Sequence, residues 1–343
     1  MKQKIVSQEA TYTLQLSVCV IGRNEGRHLP ACIASLRQLD ALQINYETIF
    51  VDSASTDDSV VMAQRGFDKV LCLAPSALLN AGAARHVGTR HAKGDWVLYM
   101  DGDMELAPAI LTAIDDLIRS GRLDEGLCGF TENVYPDGGR DLIHFRGNRE
   151  GANCHMFGGA VLLPRRKVLE AGNWSCALYA YEESELYSRL LRRGVNVIWY
   201  DRRMVEHKTP EVSLIHKLLG AIVPYRSYLG KKFYGAGQVT LLTLRNGNFR
   251  DFASLKPEAY LMLASVLVAI AAAPWLSWAA GFVPILTFCV ITLRQDVRCA
   301  VNYTCWLLQL AFGVWRLHPD FHPTVDQIRM RSELAAIERG CIG

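Results

Sequence analysis

Residues 95–103 read DWVLYMDGD: an apolar stretch, with Trp96, Val97 and Tyr99 as strong β-formers, that runs directly into two carboxylates, Asp101 and Asp103. The apolar part predicts a buried strand over 95–100, with the acids placed where strand gives way to loop. Paired carboxylates that leave room for water suit Mg²⁺ or Mn²⁺, ions that commonly bridge to substrate phosphates. Gly102 between them lets a ligand approach the backbone closely. A short acidic motif is also what a solvated turn looks like, so the surroundings have to decide.

Upstream, the same arrangement recurs. LQLSVCVI (14–21) is a β-branched apolar run ending at the turn Gly22-Arg23-Asn24-Glu25-Gly26, and Leu29, Cys32, Ile33, Leu36 and Leu39 then follow at helical spacing. YETIFV (46–51) is a second strand, ending on Asp52-Ser53-Ala54-Ser55-Thr56-Asp57, with a helix over 59–65 capped from that turn. A third strand covers 69–73, and a Gly/Ala-rich helix covers 81–92. Alternating strand and helix predict a doubly wound α/β sheet with parallel strands. In such sheets the ligand sits beyond the carboxyl ends of the strands. Asp52, Asp101, Asp103 and the Asn24-Glu25 turn all follow strand ends, so they converge on one edge. Further on, Gly158–Leu163 predicts a strand, Arg165–Ala171 a short helix, Tyr181–Arg193 a helix closed by Gly194, and Asn196–Tyr200 a strand leading to Val205-Glu206-His207.

SVCVIGRNE, VDSASTDD, ARHVGTRHAKGDWVLYMDGD and YEESELYSRLLRRG stand in the order found in the inverting family 2 glycosyltransferases, which have a GT-A fold, and the resemblance covers roughly 14–212. It implies that Asn24 and Glu25 line the nucleotide pocket, that Asp52 meets the donor's base or ribose, and that Arg85 lies near the diphosphate. It further implies that Asp101 and Asp103 hold metal and nucleotide sugar, that Glu183 is the general base with Glu182 beside it, and that His207 lies near the metal. Trp174 falls where the family often has an aromatic before the acceptor site. Ile21-Gly22-Arg23 departs from the usual first loop, Ser53 replaces a second Asp, His86 replaces Asn, and Glu183 replaces the commoner Asp. The QxxRW signature of processive synthases is missing. Apart from the resemblance, Glu182, Glu183 and Glu185 also read as an acidic first turn favoured by the helix dipole, and His207 as a hydrogen-bonded structural histidine.

The chain has 343 residues, half of them hydrophobic, with a net charge of only +3 and a mean hydropathy of +0.09. Disorder and a polytopic transporter are both excluded, and no global field for nucleic acid exists. The ten cysteines form no CxxC and no zinc-like spacing, which fits buried free thiols in a reducing compartment. The polar N-terminus lacks the apolar core of a cleavable signal peptide. Residues 260–293 contain no charged side chain, nor do 299–315, and Arg202–Lys256 carries ten Lys and Arg against three Asp and Glu. With the GT-A domain (14–212) that the resemblance implies, these features predict an N-terminal extension (1–13), a basic juxtamembrane segment (213–258), C-terminal membrane helices (259–317, a hairpin at about 260–293 and a third segment at about 299–315), and a tail (318–343).

The expected whole is a metal-dependent, inverting glycosyltransferase. It would take a nucleotide-sugar donor, UDP-linked as is commonest in the family, and a glycan or lipid-linked acceptor at the cytoplasmic face of a membrane. The competing classes are a polyprenyl-phosphate glycosyl synthase, which needs no base, and a non-catalytic nucleotide-sugar-binding membrane protein.

Overall fold

The computed structural model describes residues 14–75, 79–143, 149–154, 157, 159–178, 180–209, 228–255, 257–276 and 282–294. The first half alternates as its sequence dictates: β1 (Leu16–Gly22), α1 (Leu29–Leu36), β2 (Tyr46–Asp52), α2 (Ser59–Ala63), β3 (Lys69–Cys72), α3 (Ala81–His91) and β4 (Trp96–Asp101). These four strands are parallel, and Leu16, Val18, Cys19 and Val20 are buried along β1, as expected of a strand covered on both faces. Helix α3 lies unusually close to β1, because a Cβ on Gly88 would sit 2.1 Å from Cys19 Sγ. Its small-residue face is what permits that approach.

The sheet is mixed, not wholly parallel as the alternation alone predicts. After β5 (Met104–Leu106), α4 (Leu111–Ser120), β6 (Glu125–Val134), β7 (Arg140–Ile143), β8 (Val161–Pro164), α5 (Arg165–Glu170), α6 (Glu182–Leu191) and β9 (Asn196–Lys208), the order is β3-β2-β1-β4-β8-β6-β9-β5, with β7 on β6. β8 runs antiparallel to β4 and to β6, and β5 antiparallel to β9. Elements α4, β5, β6 and β7 are additions to the sequence reading. The strand expected over 158–163 begins only at Val161, because Gly159 has φ +87° and ends the extended backbone. The strand expected over 196–200 runs on to Lys208, paired with β6 on either side of two register shifts.

Helices α7 (Tyr228–Arg245) and α8 (Phe249–Ser254) pack against α6 around a second core of Leu178, Val239, Leu242 and Phe252. Asn248 Nδ2 donates to Ser188 Oγ at 2.8 Å, and Arg192 pairs with Asp251. Helices α9 (Pro257–Leu276) and α10 (Phe282–Arg294) form an antiparallel pair, since Met262 near the start of one packs with Ile291 near the end of the other. The expectation of membrane helices is not met at this point: among the described residues no helix is long and apolar enough to cross a membrane. The third candidate segment, 299–315, lies outside the described residues, as do the N-terminal extension and the C-terminal tail. Of the cysteines described, Cys19, Cys32, Cys128, Cys154 and Cys176 are buried and none forms a disulfide.

Candidate active site

Strand register builds the site. Gly22 pairs with Asp52, and Ile21 with Asp101, so the ends of β1, β2 and β4 lie level and their loops share one edge of the sheet. The loop after β1 and the loop after β2 are stitched together. Asn24, at φ 60°, donates its N–H to Ser55 Oγ and accepts from Thr56 N–H on its Oδ1, both at 2.8 Å, while Glu25 N–H donates to Ser59 Oγ at 2.8 Å. Asn24 therefore spends its side chain on holding the pocket wall. Asp52 is 2% exposed. Its Oδ2 accepts from Ser55 N–H at 2.9 Å, and its buried Oδ1 has no partner among the described residues. An unmet buried acceptor costs about 1–3 kcal/mol unless a ligand supplies an N–H or O–H.

Glu25 packs over Gly102, whose Cβ position lies 3.1 Å from Glu25 Cγ, so that glycine makes room for a side chain of the protein. Burial pushes the Glu25 carboxyl up to about 7, and the charges of Asp103 and Asp101 add to the shift. Asp103 faces His207, which β9 carries opposite Met104; His207 Nε2 lies 3.2 Å from Asp103 Oδ2 and Nδ1 3.1 Å from Asn133 Oδ1. Burial works to lower the imidazole's pKa, but the Asp103 hydrogen bond and the charges of Asp103, Asp101 and Glu25 outweigh it and raise it.

Arg85 is the centre of the arrangement. It is 2% exposed, and its fork reaches Asp101 Oδ1 at 2.9 Å and Glu182 Oε1 at 3.0 Å, with Glu183 Oε1 at 3.8 Å. The guanidinium carbon stands 5.0 Å from the centroid of the Trp174 ring. Arg85 therefore lies buried beneath the acids, joining Asp101 on one side to Glu182 and Glu183 on the other. Trp174 is equally deep, 2% exposed and edge-on to Tyr99, so it supports Arg85 and presents no face to an acceptor.

The three acids of α6 separate into different jobs. Glu182 pairs with Arg85, whereas Glu185 is buried in a bidentate pair with Arg189, which also anchors the carbonyls of Ala171 and Asn173. Burial pushes the Glu183 carboxyl up to about 7, with the charges of Glu182 and Asp101 adding and Arg85 and the nearby Gly159 amide opposing. A carboxyl poised there can exchange a proton at neutral pH. The structure thus brings Asp101, Glu182 and Glu183 together through Arg85, and Asp103 together with His207. Sequence reasoning missed Gly159 and Asn133; only the paired glycines ahead of an apolar run hinted at the first.

Asp103 and His207 offer a carboxylate oxygen and an imidazole nitrogen to a cation, with Asp101 next along the chain. No group of three or more His, Cys, Asp or Glu able to hold a metal occurs among the described residues. A set this sparse fits Mg²⁺ or Mn²⁺, which take one or two protein groups and fill the rest from water and substrate phosphates.

Residues 17–130 match the family Glycosyl transferase family 2. A protein of Haemophilus influenzae described as an uncharacterized glycosyltransferase is 35% identical over 190 residues, 52% of this chain and 62% of that one. A TPR repeat-containing protein of Synechococcus elongatus is 36% identical over 93 residues, 27% of this chain and 21% of that one. The chain therefore spans less than two thirds of the length of the curated relatives it matches. Among solved structures, the mannosyltransferase PcManGT of Pyrobaculum calidifontis, in complex with GDP-Man and Mn²⁺, aligns with a TM-score of 0.57 at 16% identity, covering 89% of this chain and 88% of that one. S. aureus TarS 1–349 in complex with UDP-GlcNAc aligns at 0.51 and 14% identity, covering 82% and 92%. At such identities the likeness is one of fold, the mixed α/β sheet of GT-A type.

Proposed function

We propose, from the match of residues 17–130 to Glycosyl transferase family 2, that the chain transfers a sugar, with inversion, from a nucleotide-sugar donor to a hydroxyl of a glycan or lipid-linked acceptor. The observation that carries this reading is the buried Arg85, which ties Asp101, at the end of the central strand, to the first turn of the helix that presents Glu183. One cation thereby sets the distance between a donor site and a base.

In this reading Asp52 Oδ1 takes an N–H or O–H of the nucleoside, its missing partner. Asn24 and Glu25 wall the pocket, and Asp101 and Asp103 face the diphosphate. Asp103 and His207 would hold a divalent cation, which when bound neutralises charge growing on the departing diphosphate. Glu183, as the carboxylate, accepts the proton of the acceptor hydroxyl as that oxygen attacks the anomeric carbon opposite the leaving group, a contribution of about 10²–10⁴ in rate. The solved neighbours bound to GDP-Man with Mn²⁺ and to UDP-GlcNAc support a donor of the nucleoside-diphosphate class.

The grip on the donor is tested by calorimetry with Mn²⁺ and UDP or GDP. Asp103→Asn is expected to abolish the metal-dependent part of binding, and unchanged binding would sink the assignment. The same reading puts the protein at the cytoplasmic face of a membrane. Leu267, Val268 and Ile270 of α9 and Ile285 and Leu286 of α10 are all more than half exposed, and the chain before them is strongly basic. An apolar face next to basic residues suits the boundary between acyl chains and anionic headgroups. Flotation of the full chain with anionic vesicles is expected to fall when Ile270 and Ile285 are both changed to Glu. Equal flotation would assign attachment elsewhere.

A further inference from the structure

Gly159 lies between the two sides of the site. β8 pairs antiparallel with β4, Val161 opposite Tyr99, and continuing that register carries residue 159 to the level of Asp101. There the backbone turns left-handed, with φ +87°. A Cβ at this position would stand 2.8 Å from Asp101 Oδ2 and 2.9 Å from Met104 Cε. Neither can easily give way, since Asp101 is tied to Arg85 at 2.9 Å and Met104 is 1% exposed. Its amide stands near enough to Glu183 to favour the charged carboxylate, and Arg85, which holds Asp101 at 2.9 Å, also lies 3.8 Å from Glu183 Oε1. One residue without a side chain thus stands against a donor-side carboxylate that Arg85 links to the proposed base.

We propose that Gly159 is a positioning residue for the transfer reaction, leaving Asp101 the room to sit where Arg85 ties it to the helix that carries Glu183. This rests on the reading of Glu183 as the base. The groups facing Glu183 are Arg85 from α3, Asp101 from β4, Cys128 from β6, Glu182 on its own helix and the Gly159 amide itself. Of these only Arg85 and the amide favour its charged form.

A side chain at 159 therefore presses on Asp101 and, through Arg85, disturbs the setting of Glu183. Gly159→Ala is expected to lower kcat about 10²-fold, as misplacement of reacting groups by about 1 Å does. Affinity for Mn²⁺ with UDP or GDP should weaken about 10–100-fold, the usual cost of disturbing a partner of a metal-side carboxylate. The midpoint of the pH–rate curve should move upward, because displacing Asp101 draws Arg85 away from Glu183 and weakens a charge that favours the ionised base. Gly159→Asn is the companion variant: asparagine tolerates left-handed backbone, so the turn folds while the Cβ remains against Asp101.

All measurements use the full chain, with UDP-GlcNAc and GDP-mannose as donor probes. A loss confined to thermal stability, with kcat, nucleotide affinity and pH midpoint of the wild type in either folded variant, would overturn the proposal. If Glu183→Gln is inert while the Gly159 variants turn over normally, this inference alone fails. If Glu183→Gln turns over fully, the reading beneath it fails.

Discussion

Glu183→Gln is expected to lower kcat for sugar transfer about 10²–10⁴-fold while leaving nucleotide binding within about twofold, because the amide keeps the shape of the side chain and loses only the ability to take a proton. The wild-type pH dependence should carry the same signature. Burial pushes the Glu183 carboxyl up to about 7, and the base acts only when ionised, so kcat should rise between about pH 6 and 8 and then level off. The variant should lack that limb. The sign for stability is opposite. A carboxyl whose folded pKa stands above its unfolded value favours the fold most at low pH, and that contribution is lost as pH rises through about 7. Glu183→Gln removes the group whose ionisation opposes folding, so at pH 8 the variant should melt no lower than the wild type. An inactive variant that melts much lower at pH 8 would make its kinetics uninformative about a base.

Arg85→Met should show the second large effect, in stability and rate together. It removes the one cation that Asp101 and Glu182 share, and breaking a buried ion pair from one side typically costs about 3–5 kcal/mol. The lower end, about 3 kcal/mol, is expected here, since about a third of the Asp101 side chain still meets water. For a domain of roughly 150–250 residues that is a fall in Tm of about 6–12 °C. Arg85→Lys separates charge from geometry. A single ammonium cannot fork between two carboxylates 97 and 16 residues away along the chain, so stability should return in part while kcat stays low. Full activity in Arg85→Lys would show that only charge matters at this position.

The parallel half of the fold was legible because each of its strands is a short apolar run that stops on polar loop chemistry; DWVLYM before Asp101 and YETIFV before Asp52 needed no long-range information. Their convergence followed from topology, and the register of Gly22 with Asp52 and Ile21 with Asp101 bears it out. The antiparallel half was not legible. Asp201-Arg202-Arg203 look like a loop, yet they lie within β9, between two runs of pairing with β6 that no local pattern announces. Depth was the other missing coordinate. Arg85 in an exposed-looking ARHVGTRH helix is buried only because Gly88 lets α3 close on β1, and Trp174 is buried beneath it. Glu182, Glu183 and Glu185 were three equal acids in sequence; which cation each meets depends on Arg85, 97 residues from Glu182, and on Arg189, four residues from Glu185. In the tail, composition showed two uncharged runs and suggested a hairpin at about 260–293, but not that α9 would pack on α8.

The central claim is that this cleft turns over a nucleotide sugar between Asp101–Asp103 and Glu183, and release of nucleoside diphosphate from a panel of nucleotide sugars by the full chain tests it most directly. The account predicts release with at least one donor in the presence of Mg²⁺ or Mn²⁺, loss of that release in Asp103→Asn, and a product of inverted anomeric configuration by NMR. Retention of configuration, or release that persists unchanged in Asp103→Asn, would contradict it.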